Sequence, residues 1–396
     1  MKFVVLVGDG MADWPLEALG GKTPLEEAHT PWMDFLAQRG KMGRVLTVPE
    51  GLPPDSSIAN LSLLGYDPRK FFPGRGPLEA SSRGIILQEG QWAFRCNLVT
   101  ISEDGKRLLD YSGGHITTEE ARELFLMLDQ KLGGDRFRFY PGVSFRGLLI
   151  VNGLDGEVLT TPPHDIMGME VESFLPQGEG SETLKELIKE ARDLLKEHPL
   201  NLKRIQEGKL PANGIWPWGG GKRPNLPSFK ERFGLLGAVV AGVDLIRGIG
   251  ILLGMEAPRV EGATGFLDTN YRGKAQMALE CLKRVDFVYL HVEAPDEASH
   301  MGSLEEKIRA IERFDQEVVG PVFEGLKEMK EDFKLLVCTD HPTPLSQRTH
   351  VREAVPFVIY DSRKEEGGYS LFSEKEAQKG LFIEEGHTLL DYFLKG

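Results

Sequence analysis

The sequence predicts an α/β protein built on a doubly wound, mostly parallel sheet, with a smaller α+β domain inserted into it. Three observations carry this. Short, continuously apolar, β-branched runs end in polar residues, the pattern of strands buried on both faces. Amphipathic helical stretches separate them, the strand–helix–strand alternation of doubly wound folds. One segment, from about 85 to 172, breaks the rhythm with shorter alternating runs. A chain of 396 residues exceeds one ordinary core, in keeping with two domains.

The elements follow in chain order. MKFVVLVGDG opens with a five-residue apolar run cut by Gly8-Asp9-Gly10, so it reads as a buried first strand rather than a signal peptide or membrane span. In LPPDSSIANLSLLGYDP, residues 52 to 68, two prolines lead into Asp55-Ser56-Ser57 and a helical run, which puts the serines at a helix N-terminus. WAFRCNLVTI and FRGLLIVNG flank one helix, TTEEARELFLMLDQKL, in the inserted segment. The expected bounds are therefore 1–84 with 173–396 for the core domain and 85–172 for the insert. SETLKELIKEARDLLKEH, at 181 to 198, is expected to return the chain to the core domain as a long helix. VDFVYLHVEAPD (285–296), FKLLVCTDH (333–341) and VPFVIYD (355–361) complete the parallel strands. Between them LEEKIRAIERFDQEVVGPVF reads as a helix with Ile308, Ile311, Val318 and Val322 on one face.

Composition narrows the function. A net charge of −13 argues against a nucleic-acid backbone or an anionic membrane as the main partner. Any anion must be met by local charges. Cys96, Cys281 and Cys338 are scattered without CxxC spacing, which points to a reducing compartment and a cytoplasmic protein. The most apolar later window, LLGAVVAGV at 235 to 243, is too short for a span.

The chemistry gathers where strands end, because ligands of open α/β sheets sit beyond the carboxyl ends of the strands. Asp9 ends the first strand, Asp296 ends VDFVYLHVEAPD, and Asp340-His341 ends FKLLVCTDH. His300 follows Asp296 at i+4, which brings both to one face of a helical turn. His350 lies nine residues after His341, across a proline-containing loop that can fold back to the same edge. Three aspartates and three histidines suffice for two divalent ions, and carboxylates so crowded repel one another without cations between them. A single aspartate after a strand is more often a cap or turn residue. His291, inside an apolar run, reads as a satisfied core residue. A serine at a helix N-terminus meets free N–H groups that stabilise anions; it can bind metal and attack phosphorus, or it can simply cap the helix.

Two glycine-rich stretches fail as nucleotide sites. WPWGGGKRP, 216 to 224, lacks GxxxxGK[ST] spacing, and GIGILLG, 248 to 254, misses GxGxxG. Lys222 and Arg223 read instead as part of an anion clamp or a solvated turn. His164 and Asp165 in TPPHD are polar residues without an assigned role.

Taken together, Asp9, the helix-start serine before ANLSLLGYDP, EAPDEASH, and TDHPTP with RTH resemble the metal-dependent alkaline phosphatase superfamily. Within it the chain is similar to the cofactor-independent phosphoglycerate mutases of archaeal type and their bacterial relatives. MKFVVLVGDGMADWP, DYSGGHIT at 110 to 117 and EGATGFLDTNYRGKA at 261 to 275 extend the likeness over almost the whole chain. The resemblance implies one metal on Asp9, Ser56, Asp340 and His341 and a second on Asp296, His300 and His350. It implies Mn2+, with Mg2+, Co2+ or Zn2+ as alternatives, and no requirement for 2,3-bisphosphoglycerate. It also implies a small phosphorylated substrate contacted by His115, with Arg146 as a second anion contact, and a glycolytic isomerase working through a phosphoserine. The family usually reads Gly-Ser-Asp where this chain has Asp55-Ser56-Ser57, so Ser57 stays a candidate beside Ser56. A homoserine-phosphorylating relative, a phosphatase, a phosphopentomutase and a metal-stabilised binding protein without turnover share this reading of the core.

Overall fold

A computed structural model describes residues 1–396. In chain order its strands are β1 (Lys2–Gly8), β2 (Lys41–Val45), β3 (Gln91–Ile101), β4 (Leu108–Asp110), β5 (Phe137–Pro141), β6 (Arg146–Asn152), β7 (Gly214–Lys222), β8 (Gly237–Val240), β9 (Phe287–Val292), β10 (Phe333–Cys338), β11 (Val355–Asp361) and β12 (Leu381–Ile383). The chain divides into two compact units, one of 1–72 with 226–396 and one of 73–225.

The larger unit carries a seven-stranded sheet in the order β12-β2-β11-β10-β1-β9-β8. Strands β8, β9, β1 and β10 pair in parallel, as their continuous apolar character requires. Strand β11, expected to be parallel, instead runs antiparallel to both β10 and β2. The reason lies in the connection: no helix stands between β10 and β11, and a parallel return needs a crossover. In register, Val7 stands opposite both Cys338 and His291, so the residues after β1, β9 and β10 emerge at one edge.

The helix expected over 304–323 is interrupted. It runs Leu304–Phe314, makes one π turn at Asp315–Val319, and resumes at Gly320–Glu328. The wide turn keeps Ile311, Val318 and Val322 in the core, while Ile308 is only partly buried. It also sets the Asp315 carboxylate against the N–H groups of Trp32 and Met33, at 3.1 and 2.7 Å. Those donors begin the helix Pro31–Arg39, which has no side-chain cap of its own.

The smaller unit is built on an antiparallel sheet, β4-β3-β6-β5, with β7 joining β3. It contains the expected insert, 85–172, but extends beyond it on both sides. Strand β7, which carries the glycine-rich WPWGGGK stretch and ends at Lys222, completes this sheet. The helix Ser181–Lys196 buries Leu184, Leu187, Ile188, Ala191 and Leu195 in this unit's own core rather than returning the chain to the larger one. GIGILLG lies largely within the helix Asp244–Leu252. All three cysteines are buried and unpaired, and no helix is long and apolar enough to cross a membrane.

Candidate active site

The parallel strands deliver the acidic residues to one edge of the larger unit. Asp9 directly follows β1, and Asp340-His341 follow β10 after Thr339. Asp296 and His300 occupy the first and last turns of the helix Ala294–Met301, which begins just beyond β9. Gly10, at φ +62°, permits the close approach: a Cβ there would stand 2.6 Å from Asp296 Oδ1 and 2.7 Å from Thr343 Oγ1.

One group assembles around Asp9 and Asp340. His341 Nε2 lies 3.4 Å from Asp9 Oδ1 and 3.5 Å from Asp340 Oδ2. Ser56 Oγ lies 3.0 Å from the same imidazole nitrogen. Ser56 is the first residue of the helix Ser56–Leu63, capped by Asp55, whose carboxylate accepts from the Ser57 N–H at 2.8 Å and from the Ser57 hydroxyl. The two serines are thus separated: Ser57 is buried against its own cap, and Ser56 faces His341. Asp340 is held by the Gly10 N–H at 3.2 Å and by Asn60 Nδ2 at 2.8 Å.

A second group forms around Asp296. His300 Nε2 and His350 Nε2 lie 3.0 and 3.4 Å from Asp296 Oδ2 and 3.1 Å from each other. His300 Nδ1 donates to the Arg348 carbonyl at 2.9 Å, which leaves Nε2 free to ligate. Arg348 takes φ +54° on the loop carrying His350, a strained backbone conformation for a side-chain-bearing residue beside a site. The Thr343 hydroxyl joins the groups, 2.5 Å from Asp296 Oδ1 and 3.2 Å from His341 Nδ1.

The electrostatics fit cations. Burial, with Asp340 and Asp296 nearby, pushes the Asp9 carboxyl well above its ordinary range. Burial also acts against ionisation of Asp296 and Asp340, but His300 and His350 hold the first, and His341 above all the second, well below that range. Asp296 raises His300 to about 9. Asp9 Oδ1 is buried without a hydrogen-bond partner. Asp296, His300 and His350 present donor atoms within 4.8 Å of one another, as do Asp9, Asp296 and His341. Oxygen and imidazole sets of this size suit divalent first-row ions, so the residues present fit the implied metals.

Several residues at this site escape a strand-end reading. Asn60, Thr343 and Lys307 are polar residues in helix or loop, and only their contacts mark them. His291 does not make the satisfied core contacts expected of it. It lies 3.5 Å from Asp9 Oδ2 and 3.6 Å from Asp340 Oδ2, and neither ring nitrogen makes a hydrogen bond.

The other candidates lie in the smaller unit. His115, at φ +53°, packs its Nδ1 3.4 Å from Ser112 Oγ, which Asp110 holds at 2.5 Å. The Arg146 guanidinium covers Phe145 at 4.4 Å, and Tyr111 meets the same ring edge-on. Lys222 covers Trp92 at 5.1 Å at the end of β7, and Arg223 is exposed beyond it. His164 pairs with Asp165 at 3.7 Å and meets Trp218 edge-on, while Arg95 covers Trp218 at 4.4 Å. Arg95 and Trp218 sit opposite each other in β3 and β7, a pairing that no motif in either strand signals.

This fold and its strand-end cluster define an α/β protein whose carboxylate and imidazole groups at one sheet edge suit divalent metal ions. The family model for 2,3-bisphosphoglycerate-independent phosphoglycerate mutase matches residues 37–201. A Methanosarcina barkeri protein of that name is 51% identical over 96% of both chains. A Geobacter sulfurreducens protein named as a probable member is 49% identical over the full length of both. Among solved structures, a Pyrococcus horikoshii protein, PH0037, superposes with a TM-score of 0.84 at 31% identity, covering 99% of this chain and 96% of that one. The cofactor-independent phosphoglycerate mutase of Thermoplasma acidophilum gives 0.70 at 27% identity, covering 100% and 99%. The chain belongs to the 2,3-bisphosphoglycerate-independent phosphoglycerate mutase family, whose members are isomerases.

Proposed function

We propose that the protein interconverts 2- and 3-phosphoglycerate through a phosphoserine on Ser56, without 2,3-bisphosphoglycerate, as a cytoplasmic glycolytic enzyme. The observation that carries the reading is the position of Ser56 Oγ: at a helix N-terminus and 3.0 Å from His341 Nε2. Asp9, Ser56, Asp340 and His341 would hold one divalent ion, and Asp296, His300 and His350 a second, with Mn2+ the first choice. Such ions supply charge neutralisation on the phosphoryl oxygens. Asp55 turns Ser57 away, and Asn60 Nδ2 bonds both the Ser56 carbonyl and Asp340, which fixes the serine against the cluster. Ser56 Oγ attacks phosphorus, the substrate's ester P–O bond breaks, and the serine proton ends on the departing glycerate oxygen. The other glycerate hydroxyl then attacks the phosphoserine, the Ser56 Oγ–P bond breaks, and that hydroxyl's proton returns to Ser56 Oγ. His115, Arg146, Lys222 and Arg223 are proposed as anion contacts for the substrate.

An assay of 3-phosphoglycerate conversion with added Mn2+, with and without 2,3-bisphosphoglycerate, tests this directly. Equal turnover in both arms is expected. Turnover only of homoserine with ATP, of ribose phosphate, or to free phosphate would replace the mutase reading by the corresponding alternative.

A further inference from the structure

His291 is fully buried, yet its surroundings are not those of a packing residue. On one side Nδ1 lies 3.3 Å from Glu293 Oε1. Glu293 is itself fixed: Lys274, also fully buried, donates to Oε2 at 2.7 Å, and the N–H groups of Gly242 and Val243 point at Oε1 from 3.2 Å. A fixed carboxylate beside Nδ1 keeps a proton on that nitrogen and turns the Nε2 lone pair to the opposite side.

On that opposite side stand two more electron-pair donors. Nε2 faces Asp9 Oδ2 at 3.5 Å and Asp340 Oδ2 at 3.6 Å. Donor atoms of Asp9, His291 and Asp340 all lie within 4.8 Å of one another. Asp9 thus turns Oδ1 to His341 and Oδ2 to His291. Three such donors repel across a dry interior unless a cation sits among them. A ligating histidine also commonly gives its other N–H to a carboxylate that sets the ring and raises its basicity.

We infer that His291 Nε2 ligates the divalent ion held by Asp9 and Asp340, with Glu293 and Lys274 as its positioning residues. This rests on the reading of the cluster as a divalent-metal site, and it adds a fourth histidine to the three drawn from strand ends.

Proton NMR of the Co2+-loaded full-length protein tests it. Each ligating imidazole carries one exchangeable N–H whose signal the paramagnetic ion shifts far outside the normal range. Four such signals are expected, from His291, His300, His341 and His350. His291→Gln should leave three and weaken Co2+ binding in equilibrium dialysis by at least the roughly 10- to 100-fold that losing a ligand's orienting partner alone costs. Glu293→Gln should keep four and displace one. Three signals in the parent protein, with His291→Gln unchanged in spectrum and affinity, would overturn the inference. If His291→Gln does not fold, Glu293→Gln decides: one displaced signal supports the inference, and none overturns it. A parent protein that retains no Co2+ overturns the metal reading itself, a result distinct from three signals.

Discussion

Lys307 Nζ lies 2.7 Å from Asp13 Oδ2, with neither side chain open to solvent. The same ammonium donates to the Thr343 carbonyl at 3.0 Å, and Asp13 Oδ2 also accepts the Leu345 N–H at 3.1 Å. A buried ion pair thereby ties the loop after Asp9 to the loop after His341. Burial lowers the Lys307 ammonium, and Asp13 opposes that shift.

Removing one partner of such a pair strands the other. Lys307→Met should lower unfolding free energy by roughly 3–5 kcal/mol, the range for breaking a buried pair. Lys307→Met with Asp13→Asn should recover part of that loss, because no charge is left uncompensated. Urea unfolding of the two variants checks this. A single variant as stable as the parent would show that the pair contributes nothing net.

The serine assignment yields a second expectation. Because Asp55 engages both the N–H and the hydroxyl of Ser57, Ser57→Ala should lower turnover yet leave a phosphoenzyme detectable by intact mass. Ser56→Ala should eliminate both. Phosphate recovered on Ser57 would mean that the helix start is turned by one residue from the position described.

Metal content separates the two groups. His300 and His350 share Asp296 and not Asp9, so His300→Ala should reduce two bound ions per chain to one while the far-UV spectrum stays unchanged. Elemental analysis after dialysis measures it. Full occupancy in this variant would remove His300 from the ligand set.

Much of this site was legible in the sequence because period and polarity coincide at strand ends. Asp9, Asp296 and Asp340 each follow an apolar run, and the structure puts all three at one edge. What stayed hidden depended on direction rather than composition. Strand β11 is as apolar as its neighbours, and only the absent crossover reverses it. The GIWPWGGGK strand has the composition of a loop but is held by pairing with β3. His291 looks like core because it sits in the run FVYLHV, and nothing local says that its ring points at Asp9 and Asp340. Asp315, in the interrupted helix, caps the distant helix that begins at Pro31, a relationship no window of sequence contains.

That cap carries the last expectation. Burial pushes the Asp315 carboxyl from 3.8 up to about 7, against the N–H donors of Met33 and Trp32, which pull it down. In the unfolded chain the same group ionises near 3.8. A carboxyl whose folded value is the higher one favours the folded state most at low pH. Its contribution is complete below 3.8, declines as pH rises through the window to about 7, and is gone above it. Asp315→Asn stays neutral throughout, so its stability relative to the parent should rise as pH climbs from 5 to 7, by on the order of 1.4 kcal/mol for each pH step of one, and level off above. Glu374 is also raised to about 7 by burial, but it titrates in both proteins and cancels in their difference. Urea midpoints of parent and variant at about pH 5, 6, 7 and 8, spanning that window, would measure the difference. Parallel curves across this range would mean that Asp315 keeps its charge in the fold, stabilised by the helix N-terminus it caps.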